Sequence, residues 1–123
     1  MSQILVVDDD SNNQRMLSYS LRKAGYEVLL ASDGQAGLDI LDHEEIHLAI
    51  IDLSMPVMDG ISMLRSIRTN DTYSQLPVIV LTASGDENEL FMADTLGVVA
   101  FLTKPTSSRI LLKTVANILQ PSL

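Results

Sequence analysis

The chain has 123 residues, 46% of them apolar and 20% charged, a composition that suits one domain with a substantial core and excludes intrinsic disorder. It has no cysteine, which removes disulfides, thiolate metal sites and cysteine nucleophiles. Its net charge of -8, with eight Lys and Arg residues scattered along the chain, argues against gripping nucleic acid directly.

The first apolar run, residues 3–7, stops at Asp8-Asp9-Asp10. Met1-Ser2-Gln3 carries no basic stretch ahead of it, so a signal peptide is not expected. Leu17, Leu21 and Ala24 then share one helical face, and Gly25 sits where a C-terminal helix cap belongs. A second run, residues 26–31, ends in Ser32-Asp33-Gly34, a candidate N-cap for the next helix. The third run, residues 48–51, leads into Asp52, and the following helix is expected to start near Asp59-Gly60, with Ile61, Leu64 and Ile67 on its buried face. Residues 78–81 lead into Thr82, and residues 98–102, preceded by Gly97, lead into Thr103-Lys104-Pro105. A last helix follows Thr106-Ser107-Ser108 with Leu111, Val115 and Ile118 on one side.

Three of the five runs are almost continuously apolar, as strands covered on both faces are. Strict alternation of strand and helix predicts an α/β fold with a parallel sheet and right-handed crossovers, in a single domain covering residues 1–123. No apolar stretch approaches the roughly 20 residues needed to span a bilayer. A cytoplasmic domain without membrane contact is the expectation.

Ligand sites in such folds lie beyond the carboxyl ends of the strands. The residues there are Asp8, Asp9 and Asp10 after the first strand, Asp52 after the third, Thr82 after the fourth, and Lys104 after the fifth. If the first and third strands are neighbours, Asp8, Asp9 and Asp52 converge. Two carboxylates about 5 Å apart repel by on the order of 3 kcal/mol at an effective dielectric near 20. Protonation or a bound cation relieves this, and hard oxygen ligands with room for water favour Mg2+. An aspartate in that setting can attack phosphorus to give an acyl phosphate. Lys104 offers a point charge and Thr82 a hydroxyl for the phosphoryl oxygens, and a cis bond to Pro105 could aim the ammonium over the site. Asp10 is read as a helix cap. His43 and His47 are read as surface residues away from the site, and the six methionines as packing residues.

Leu5-Val-Val-Asp-Asp9, Asp52 followed by Met55-Pro56 and Met58-Asp59-Gly60, Leu81-Thr-Ala83, and Phe101-Leu-Thr-Lys-Pro105 together resemble the response-regulator receiver family, in order and over essentially the whole chain. The resemblance implies a doubly wound, flavodoxin-like five-stranded sheet of order 2-1-3-4-5. It implies Asp52 as phosphoacceptor, supplied by a histidine kinase or histidine phosphotransfer protein. Mg2+ would be held by Asp9, Asp52 and the backbone carbonyl of Ser54, with Asp8 holding a metal-bound water, while Thr82 and Lys104 contact the phosphoryl oxygens. The output would pass through the face of helix 4, strand 5 and helix 5 to a downstream protein, an attached output domain, or a phosphorylation-dependent homodimer. Phe101 stands at the family's aromatic switch position, often tyrosine; a core phenylalanine is the other reading. Ser54 and Ser84, two residues after Asp52 and Thr82, leave water access to the acyl phosphate open.

Two other classes compete. A haloacid-dehalogenase-type aspartyl phosphatase would use Asp8-x-Asp10 as its paired acids, but needs a longer core. A flavodoxin-like cofactor carrier would need a phosphate loop where Asp8-Asp9-Asp10 stands, and the chain has no tryptophan. Gly34 and Gly37 follow the second strand and lack the third glycine of a dinucleotide loop.

Overall fold

The computed structural model describes residues 2–53, 59–83 and 87–119. Strands and helices alternate in it: β1 (Gln3–Val7), α1 (Ser11–Lys23), β2 (Glu27–Ala31), α2 (Gly34–His43), β3 (Leu48–Asp52), α3 (Gly60–Thr69), β4 (Val78–Thr82), α4 (Glu87–Thr95), β5 (Ala100–Thr103) and α5 (Ser108–Leu119). All neighbouring strands pair in parallel, in the order β2-β1-β3-β4-β5. The expected topology is the observed one.

The period-2 alternation of a strand divides each central strand between two cores. Leu5, Val7, Ala49, Ile51, Val78 and Val80 face α2, α3 and α4, where they meet Leu41, Ile61, Leu64, Ile67 and Ala93. Ile4, Val6, Leu48, Ile50, Ile79 and Leu81 face the other way and pack on Leu17 and Leu21 of α1 and Leu111 and Val115 of α5. Hence β3 and β4 are buried at every position, whereas the edge strands β2 and β5 are buried only in part. This is why their sequences read less cleanly. β5 starts at Ala100 rather than 98, because the turn after α4 still occupies that segment: the Val98 N–H bonds to the Ala93 carbonyl.

Aspartates start three of the helices. Asp10 accepts from the Asn12 N–H at 2.9 Å, Asp33 from Ala36 at 2.8 Å and Asp59 from Ser62 at 2.8 Å. Gly25 and Gly97 follow α1 and α4 at φ 101° and 78°, the left-handed region that a side chain disfavours. The expected helix face of α1 is also off at its end: Ala24 is exposed as the C-cap, and the buried face of that helix is Asn13, Leu17, Ser18 and Leu21.

Gly60 sits where α3 presses against the end of β3. A Cβ there would lie 2.5 Å from the Asp52 carbonyl oxygen and 2.6 Å from the Leu53 Cα, and backbone atoms cannot yield as a flexible side chain does. Gly60→Ala is therefore expected to destabilise the domain by about 1–3 kcal/mol, as overpacking does. Urea unfolding of the two proteins, with unchanged slope and a lower midpoint, checks this.

Candidate functional site

Because β1 and β3 are adjacent in register, with Val7 opposite Ile51, the residues that follow them emerge side by side at the carboxyl end of the sheet. Asp8, Asp9 and Asp52 meet there, each offering an oxygen within 4.8 Å of the others'. Asp8 is fully buried, Asp52 is 2% exposed, and Asp9 lies open to solvent. Thr82 ends β4 and is buried as well.

The charge of the two buried acids is met from β5. The Lys104 ammonium donates to Asp52 Oδ2 at 2.8 Å and stands 3.5 Å from Asp8 Oδ2. The Lys104 backbone N–H bonds to the Thr82 carbonyl at 2.8 Å, so β4 fixes where the side chain starts, and the Lys104–Pro105 peptide is cis. Burial pulls the pKa of Lys104 down. The hydrogen bond and charge of Asp52, joined by those of Asp8, outweigh it and raise the pKa above the ordinary lysine value.

Two polar side chains that sequence reasoning did not single out hold the site in place. Asn13, on the buried face of α1, donates through Nδ2 to Asp8 Oδ2, while the Asp10 N–H bonds to Asp8 Oδ1 at 2.9 Å. Gln14 Nε2 donates to the carbonyls of Asp8 at 2.6 Å and Ala31 at 2.9 Å, tying the ends of β1 and β2 together. Both residues lie on the first turns of α1, so a polar residue on the strand-facing side of a helix was the available signal. His47 lies partly exposed and away from the site, as expected, and its Nδ1 accepts the Gln3 N–H at 2.9 Å, at the far end of the sheet from the acids. His43 is exposed, with Nδ1 2.8 Å from the Asp39 carbonyl oxygen. Asp10 is the cap of α1, as expected. Phe101 is 38% exposed on β5, which removes the core reading; its neighbour Leu102 takes the buried position. Ser54 and Ser84 lie outside the described residues.

The family model of the response regulator receiver domain matches residues 4–116. The chain belongs to that family. This receiver domain is 38% identical over 122 residues to the transcriptional regulatory protein CpxR of Escherichia coli, covering 99% of the chain and 51% of CpxR. It is also 38% identical over 104 residues to a probable chemotaxis protein CheY of Rhizobium etli, covering 84% of the chain and 81% of that protein. Among solved structures, the Vibrio cholerae chemotaxis protein CheY4 superposes with a TM-score of 0.91 at 32% identity, over 97% of this chain and 99% of its own. The receiver domain spans about half the length of CpxR. None of the described helices is long and apolar enough to cross a membrane.

The raised pKa of Lys104 has a consequence for stability. A group whose folded pKa lies above its unfolded value contributes stability that is present in full below the unfolded pKa. That stability is lost as pH rises from the lysine value of 10.5 through the folded pKa. The pKa of Tyr73 is raised too, by burial and by its hydrogen bond to Asp42, so its contribution likewise falls as pH rises. Lys104→Met should therefore lose less stability than the wild type on going above pH 10.5, with Tyr73 contributing equally to both proteins. Thermal unfolding midpoints of the two proteins across that range measure the difference.

Proposed function

We propose that this receiver domain is a phosphorylation-dependent switch in which Asp52 takes a phosphoryl group from the histidine of a kinase or phosphotransfer protein. The observation that carries this reading is the juxtaposition of a buried carboxylate, Asp52, with two further carboxylates and a lysine ammonium 2.8 Å away at the carboxyl end of a parallel sheet. One carboxylate oxygen of Asp52 attacks phosphorus as the bond to the donor imidazole nitrogen breaks, and the electron pair of that bond leaves with the nitrogen. Lys104, already on Asp52, follows the charge onto a phosphoryl oxygen, and the Thr82 hydroxyl donates to another.

The acid cluster fits a divalent cation, since its ligand oxygens lie within 4.8 Å of one another and all are hard donors. Asp9 and Asp52 would hold Mg2+ directly and Asp8 through a water, with the Ser54 carbonyl as the remaining protein ligand. When bound, Mg2+ supplies positive charge to the transferring phosphoryl group. Asn13 and the Asp10 N–H orient Asp8 for that role.

The output reading follows from the same switch. Bonding of Thr82 to the phosphoryl group shifts the population of two states, and Phe101, exposed on β5 opposite Val80, repacks with the α4, β5 and α5 face. A downstream protein, an attached output domain or a second phosphorylated copy would read that face. Catalysis by the domain is confined to its own phosphorylation and dephosphorylation, and the phosphodonor places it in the cytoplasm.

The aspartyl phosphatase alternative needs Asp10 as a free acid beside Asp8. Asp10 instead accepts the N–H groups of Asn12 and Asn13 at the start of α1, while Asp8 is fully buried under Asn13. Acetyl phosphate with Mg2+ separates the two. The wild type and, more slowly, Asp8→Asn should gain one phosphoryl group by intact-mass measurement, and Asp52→Asn none. Labelling lost in Asp8→Asn but kept in Asp52→Asn overturns the assignment. Asp9→Asn should weaken Mg2+ binding by at least about tenfold in calorimetric titration, the loss expected when a ligand or its immediate support is removed.

A further inference from the structure

At the sheet end opposite the carboxylates, on the β4 side, Arg68 in the last turn of α3 gathers several main-chain carbonyls. Its Nε donates to the Leu96 carbonyl at 2.6 Å. Its Nη1 donates to Leu76 at 2.7 Å and Ser74 at 3.1 Å, and its Nη2 to Gly97 at 3.2 Å. A guanidinium has five N–H donors in a rigid fork, so these main-chain oxygens take all but one of them. The groove of about 480 Å3 beside it, lined also by Pro77, Thr95 and Val99, is left with little to hold an anion. Arg68 is a clamp joining the segment before β4 to the segment after α4.

The clamped part is the C-terminal end of α4. The carbonyl end of a helix carries partial negative charge and favours a cation in its last turn. α4 has Glu87 and Glu89 in its first turn and no basic residue in its last, so the cation reaches it from α3. Little of the helix's own surface is fully buried. Ala93 is its one buried residue, and Phe91 is 72% exposed.

We propose that Arg68 is a positioning residue that anchors the C-terminal end of α4, so that a change at Asp52 and Thr82 enters the helix at its N-terminal end and swings it about that anchor. The trigger rests on the phosphoacceptor reading above; the anchor does not. Lysine cannot substitute, because a single ammonium cannot span the carbonyls of both segments.

Amide exchange and beryllofluoride, a stand-in for the phosphoryl group, test this on the intact domain by NMR. In the wild type, shifts induced by beryllofluoride with Mg2+ should fall off from Glu87 toward Leu96. In Arg68→Ala and Arg68→Lys, exchange of the Leu96, Gly97 and Val98 amides should speed up about tenfold beyond any change in β1 and β3, as loss of a local restraint does. The induced shifts should then spread evenly along α4, with beryllofluoride affinity changed less than about threefold, well short of what loss of a direct ligand costs. Exchange at 96–98 that rises no more than in β3 overturns the anchor. So do wild-type shifts as large at Leu96 as at Glu87, a measurement that stands even where both variants fail to fold. A folded wild type that does not bind beryllofluoride overturns the phosphoacceptor reading instead, and the exchange data alone then decide the anchor.

Discussion

Two buried carboxylates and one open to solvent share the carboxyl end of two adjacent parallel strands, and most of the local structure follows from keeping them there. At an effective dielectric near 20, each close pair repels by on the order of 3 kcal/mol. The Lys104 ammonium offsets part of this, and the amide of Asn13 and the Asp10 N–H offset more. Three carboxylates thus face one ammonium among the described side chains of the cluster, the imbalance on which the proposed metal and phosphoryl chemistry rests. The lysine is shared between Asp52 and Asp8 at 2.8 and 3.5 Å, so its charge can follow whichever oxygen carries the most.

Holding like charges together requires a rigid support, and the sheet supplies it. β3 and β4 are covered on both faces, and the strands alternate residues between two separate cores. Asp52 belongs to a strand whose every residue is buried, so it cannot retreat from its neighbours without disturbing both cores. Gly60 adds a second constraint, letting α3 approach the Asp52 backbone more closely than a Cβ allows. Functional groups therefore come from strand ends, while tolerance of movement is left to the parts with few buried contacts.

α4 is the clearest such part. With Ala93 as its one buried residue and Met92 packed beside it on the core, it is further attached at its C-terminal end by the Gly97 turn and the Arg68 fork. Its other end follows β4, whose last residue is Thr82. A helix held at one end and with little buried surface along its length can convert a small displacement into a rotation. The acid cluster and the arginine clamp thus occupy opposite ends of the sheet.

How much of this was legible beforehand depends on whether a residue acts through its neighbours in the chain or through distant ones. The central strands, the aspartate caps at Asp10, Asp33 and Asp59, and the glycines that close α1 and α4 are local devices, and local pattern revealed them. The convergence of Asp8, Asp9, Asp52, Thr82 and Lys104 was readable too, because parallel α/β topology sends every strand's last residue to the same edge. Asn13, Gln14, His47 and Arg68 were not. Asn13 and Gln14 resemble any polar residues near a helix start, His47 any loop histidine, and Arg68 any cation ending a helix; their roles arise from carboxylates, carbonyls or an N–H contributed by other segments. The exposure of Ala24 and Phe101 was likewise decided by helix phase and by β5 lying at the sheet edge. Sequence thus determined which chemistry the strand ends could perform, since that follows from residue type and topology. Tertiary structure alone decided which side chains restrain it, since a hydrogen bond between distant segments leaves no periodic trace in either one.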